Sequence, residues 1–171
     1  MATRIIALAV FILLLAAPGQ ALAQRLQLEA LDRLSTRARE TVNIDIDPGM
    51  LKFALPFLQG GGSEPEIKAM LSDLKGIYVR VFEFDGDVDV SNEVTAIRQQ
   101  LTTPWARLVG VDSRQTRELV EIYSWRQGDS SGGLAILAAD GRQLTVVNIV
   151  GPFDPSKLAA LRGLGIPDVP R

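Results

Sequence analysis

Between Leu26 and Ala38 the apolar positions Leu28, Leu31, Leu34 and Ala38 recur at intervals of 3, 3 and 4 residues, with Glu29 four residues ahead of Arg33. One apolar face and a supporting ion pair predict an amphipathic helix. "TVNIDID" then alternates Val42, Ile44 and Ile46 with polar neighbours, as a half-buried strand does. Asp47-Pro48 joins a capping residue to a proline suited to the first helical position, so a helix is expected to run toward Leu58 and end at "QGGGS". Ser63 and Glu66 form a capping-box pattern ahead of Ile67, Met70, Leu71 and Leu74, which share one helical face. Gly76 closes that helix and "IYVRVFEF" follows as a strand. Ser91 is expected to cap a further helix with the face Val94, Ile97 and Leu101, ending near Pro104.

After Trp105 helical spacing gives way to strand runs: "RLVGV", "RELVEIYSW", "LAILAA" and "QLTVVNIV". Asp140-Gly141 between the last two is a hairpin-turn dipeptide. Asp154-Pro155 predicts a final helix carrying Leu158, Leu161 and Leu164. Helices in the first part and a meander in the second imply an α+β fold, a mainly antiparallel sheet with helices packed on one face. The connections are short and no repeat is present, so residues 24–171 read as a single α+β domain.

The preceding stretch changes the picture of where this domain works. "MATRIIALAVFILLLAAPGQALA", residues 1–23, has an early Arg4, an apolar run from Ile5 to Ala17, a Pro-Gly break and an Ala-Leu-Ala ending. This predicts a cleaved signal peptide with Gln24 as the first mature residue, and a periplasmic or secreted location. The chain has no cysteine, which excludes lipidation at a cysteine as well as disulfides, so stability must rest on the hydrophobic core. The formal charge is −2 with both signs interspersed, which gives no footprint for nucleic acid. No apolar run after residue 23 is long enough to predict a transmembrane span in the mature chain.

The segments "LSDLKGIYVRVFEF", "PWARLVGV", "VEIYSW", "GLAIL" and "QLTVVNIVGPFDPSKLAAL" resemble an exported bacterial family known as domain of unknown function 4252. Leu144 to Gly151 carries the most specific part of the likeness, and Pro152 and Pro155 around Phe153 depart from the pattern at the start of the last helix. The resemblance implies an envelope context and transfers no catalytic residue.

Candidate chemistry is narrow. The absence of histidine and cysteine removes His-dependent hydrolases, thiol nucleophiles and the common zinc and haem ligands. "GDSSGG", residues 128–133, mimics a serine-protease nucleophile loop, but its spacing is wrong by one serine and no base exists, so it reads as a polar loop joining two strands. No catalytic residues and no cofactor are expected. "EFDGDVDVSNEV" spaces Asp85, Asp87 and Asp89 like a calcium loop, yet Val90 and Ala96 stand where that loop needs glycine and a bidentate glutamate. An acidic turn ahead of a helix is the simpler reading, with oxygen ligands from Asp85 to Glu93 kept as an alternative small-ligand or calcium site. Glu118 and Glu121 read as solvated surface residues. Alternation places Tyr78, Arg80, Phe82 and Phe84 on one strand face, and Leu119, Glu121, Tyr123 and Trp125 on another. Mixed aromatic and charged faces suit partner binding, so Tyr78, Arg80, Phe82, Tyr123 and Trp125 are the candidate binding residues. The leading expectation is therefore an exported, non-enzymatic interaction module whose partner is an envelope protein.

Overall fold

The computed structural model describes residues 24–54, 72–127 and 130–152. The expected signal peptide, the capping box at Ser63 with most of its helix, and the final helix from Asp154 lie outside the described residues. A 3₁₀ helix (Glu29–Thr36) is followed by β1 (Glu40–Ile46), α1 (Pro48–Ala54), β2 (Gly76–Glu83), α2 (Ser91–Gln100), β3 (Trp105–Ser113), β4 (Glu118–Gln127), β5 (Ser130–Ala139) and β6 (Gln143–Val150). The strands form one open six-stranded sheet in the order β1-β2-β6-β5-β4-β3, antiparallel at every pairing. β3 to β6 form the expected meander; β2 adds to its β6 edge and β1 to β2.

The first expected helix is present in a tighter form. Leu28, Leu31 and Leu34 are spaced by three, the repeat at which side chains eclipse in a 3₁₀ helix, and all three are buried. Asp47 caps α1 as expected, accepting the Met50 N–H at 2.8 Å. Ser91 does not cap α2: it is the first residue of that helix, and the Asp89 carboxylate accepts its N–H at 2.9 Å. The loop expected at 128–133 is shorter than the sequence suggests, because Ser131 to Gly133 belong to β5. At the Asp140-Gly141 turn, Gly141 takes φ +86°, a conformation that favours glycine.

Cross-strand register explains which side chains meet. Tyr78, Asn148, Ala135, Tyr123 and Arg107 form one row across the sheet, and Arg80, Val146, Leu137, Glu121 and Gly110 the next. This face is buried beneath the 3₁₀ helix and α2, whose Leu31, Leu34, Val94 and Ile97 join Phe82, Leu137, Leu144 and Val146 in the main core. The opposite face carries a smaller cluster of Leu134 and Ile149 with Leu51 of α1 and Leu74. Helical residues thus enter both apolar clusters, so the expectation of helices on one face covers the 3₁₀ helix and α2 but not Leu51.

Candidate functional site

All five candidate binding residues lie on the covered face, and the structure corrects the idea that they form an open surface. Tyr78, Arg80, Phe82, Tyr123 and Trp125 are between 0% and 9% exposed. The strand alternation was read correctly, but it locates the core. Trp125 meets Trp105 edge to face with ring centroids 5.4 Å apart. Tyr78 carries the Arg25 guanidinium 4.3 Å above its ring centre. The Arg80 guanidinium reaches Asp45 at 2.9 Å and Asp32 at 3.1 Å. Burial would lower its pKa, but hydrogen bonds and attraction from Asp45 and then Asp32 outweigh that and raise it.

On the same sheet row, Glu121 is a carboxylate only 2% exposed. Its two oxygens accept hydrogen bonds from Arg98 Nε (2.9 Å) and Nη2 (3.0 Å), Arg107 Nη1 (3.0 Å) and the Tyr123 hydroxyl (3.0 Å). A buried charge is tolerated when it is paired and its lone pairs are filled, and that is the arrangement here. Burial alone would raise the Glu121 pKa; the Arg98 hydrogen bonds, then Tyr123 and Arg107, overcome it and hold the carboxyl below its ordinary value. Tyr123 is raised in turn, first by burial and then by its bond to Glu121. Gly110 makes room for this, since a Cβ there would lie 3.3 Å from the Arg107 guanidinium carbon. The centre ties α2, β3 and β4 together. With every lone pair engaged, Glu121 is poorly placed for acid–base work.

The acids from Asp85 to Glu93, ahead of and at the start of α2, are dispersed among different partners. Asp85 lies 3.5 Å from Arg39, Asp87 pairs with Arg117 (2.5 Å) and Arg142 (3.6 Å), Asp89 holds the Ser91 N–H, and Glu93 is buried against Arg33 at 2.9 Å. Their oxygens are turned to different cationic or N–H groups and do not converge, which gives the calcium alternative no geometric support. Among the described residues no cluster of acids has the proximity a metal site needs. A recess of about 410 Å³ lies beside this loop, lined by Arg39, Glu83, Phe84, Asp85, Asp140, Arg142 and Gln143. Both of its arginines are already engaged, Arg39 with Glu83 at 2.6 Å and Arg142 with Asp87 at 3.6 Å.

Exposed large apolar residues fall in two places among the described residues: Val42 and Ile44 of edge strand β1 with Met50 and Phe53 of α1, and the opposite edge at β3. β3 is an edge strand, with β4 on one side and no strand on the other among the described residues. Leu108, Val109 and Val111 along it are 50%, 42% and 47% exposed. A bulge between Arg107 and Val109 turns Leu108 outward, a device that protects edges from indiscriminate pairing, while Val109 to Ser113 continue regularly. The opposite sheet face continues inward from this edge through half-buried Val120, Ile122 and Ile136, the last two packed against the Leu51, Leu134 and Ile149 cluster. The sequence reading missed this edge. "RLVGV" gave the strand, but its edge position follows from long-range pairing that no local pattern encodes.

A family model described as Domain of unknown function (DUF4252) matches residues 36–161. Comparison with curated proteins finds no match. Among the described residues no helix is long and apolar enough to cross a membrane.

Proposed function

Starting from the fact that the chain belongs to the DUF4252 family, described as a domain of unknown function, we propose that it is an exported protein-binding module of the bacterial envelope, periplasmic or secreted, which takes an extended apolar segment of a partner along β3. The observation that carries this reading is the row of exposed Leu108, Val109 and Val111 on an edge strand. An edge strand supplies unpaired backbone donors and acceptors, and its exposed side chains supply contact area, which together suit strand addition. In this account the face under the 3₁₀ helix and α2 is structural, and the β3 edge with the adjoining sheet face is the working side. The buried, fully bonded state of Glu121 and Arg80 fits a binding module better than an enzyme.

The test compares wild type with a Val109→Lys/Val111→Lys variant. Exposed substitutions on an edge alter stability by about 0.5 kcal/mol or less per site, so urea midpoints are expected to agree closely. Loss of one specific envelope protein from the variant's pull-down, with that protein in purified form binding wild type alone, is the expected result. Equal binding by both forms overturns the β3 assignment. A wild-type dimer in solution that the variant abolishes replaces the partner by a second copy. Recovery of the protein solely from the cytoplasm overturns export.

A further inference from the structure

At the other end of the sheet from the Asp85–Asp89 loop, the segment beginning at Gln24 is built into the fold. Leu26 and Leu28 are buried in the main core, and Asn148, 0% exposed, accepts the Leu26 N–H at 2.9 Å and donates its Nδ2 to the Gln24 carbonyl at 3.1 Å. The Gln24 side chain has its own seat. Its Oε1 accepts the Gly151 N–H at 3.2 Å, a donor shared with the Gly132 carbonyl at 2.9 Å. Gly133 lies alongside it: a Cβ there would stand in ordinary contact with Gln24 Oε1 at 3.7 Å, but too close to the Ile149 carbonyl at 2.8 Å. Gln24 itself is 5% exposed.

We infer that this seat holds residue 24 as pyroglutamate, formed from Gln24 once the chain has been cut after Ala23. The inference rests on the export reading, because only cleavage there frees the Gln24 α-amine. In the reaction the amine nitrogen attacks the side-chain Cδ, the Cδ–Nε2 bond breaks, and the departing nitrogen takes up a proton released by the amine and leaves as ammonia. No oxidation and no second reactant are involved. The two seat contacts of Gln24 use Oε1 and the backbone carbonyl oxygen, both of which survive in the lactam, and neither requires the lost Nε2. Cyclisation also replaces a charged ammonium by a neutral amide N–H. Beside a seat that presents the Gly151 N–H and the Asn148 Nδ2 donors, the neutral form is the favoured one.

The experiment is intact-mass and N-terminal peptide mass spectrometry on the full chain expressed with its own leader and purified rapidly from the periplasm. The expected product begins at Gln24, is lighter than the unmodified sequence by one ammonia, and resists N-terminal sequencing. A product that begins at Gln24 and stays unmodified through prolonged incubation overturns the modification while leaving export intact. A product that begins elsewhere or retains Met1 overturns the cleavage reading and the modification with it. To separate a seated lactam from incidental chemistry, protein released with a fresh Gln24 by a site-specific protease is compared with the cyclised form. The cyclised form is expected to melt higher and to resist a pyroglutamyl-removing peptidase until it is unfolded. Equal melting temperatures with ready removal from the folded protein would show that the fold does not hold the lactam.

Discussion

Glu121 shows how a single residue can be read correctly in position and wrongly in environment. Alternation put it on the same face as Leu119, Tyr123 and Trp125, which are partly or fully buried, and its charge nevertheless suggested solvent. What local sequence could not supply was Arg98 from α2 and Arg107 from β3, brought to it by helix packing and strand register. Replacing Glu121 by Gln leaves both arginines without their anion. Breaking a buried pair typically costs about 3–5 kcal/mol, and because the two arginine side chains are 39% and 58% exposed, the expected loss is at the low end. The pH response has a definite sign. A carboxyl whose pKa is lowered on folding contributes fully above the ordinary glutamate range, and that contribution disappears as pH falls through the lowered value. Wild-type stability should therefore drop more steeply than that of Glu121→Gln as pH falls below about 4, and urea titrations at successive pH values measure the difference. Parallel curves would remove Glu121 from the account of acid stability.

At the scale of elements, the sequence was most informative where spacing and burial coincide. Val94, Ile97 and Leu101 were assigned to one face of α2, and all three are buried. Ile97→Ala removes a nearly inaccessible side chain from beneath that helix, and a loss of about 2–5 kcal/mol is expected from urea unfolding. The strand runs and the Asp140-Gly141 hairpin were equally legible, because period-two alternation and turn chemistry are local. Gly133 was not. It resembled part of a polar loop, whereas its position in β5 places a would-be Cβ 2.8 Å from the Ile149 carbonyl. Gly133→Ala should consequently destabilise a strand position where alanine is otherwise harmless, by about 1–3 kcal/mol as for overpacking. An unchanged melting midpoint would mean that the β5–β6 spacing relaxes freely.

For the whole molecule, the domain starts before the matched family region. Residues 36–161 match the family model, yet Leu26, Leu28, Leu31 and Leu34 precede it and belong to the main core. Asn148 fixes this leading segment across the sheet, and its fully buried carboxamide was hidden in "TVVNIV" as one polar residue among apolar ones. Asn148→Leu keeps the side chain's branched shape but strands the Leu26 N–H and Gln24 carbonyl. A loss of about 1–3 kcal/mol per orphaned group sets the expected scale, with earlier proteolysis near residues 24–28 as a second readout. The candidate binding residues fall in the main core because alternation distinguishes two faces without saying which one lies beneath the 3₁₀ helix and α2. The apolar edge at β3 is left as the surface on which the functional account depends. Its most direct test is site-specific photo-crosslinking in intact cells, with the reactive residue placed at Val111 and, for comparison, at exposed Thr95 on α2. The account predicts one discrete heteromeric adduct from position 111, absent from position 95 and abolished by Val109→Lys. No adduct from position 111, or the same adduct from both positions, would contradict it.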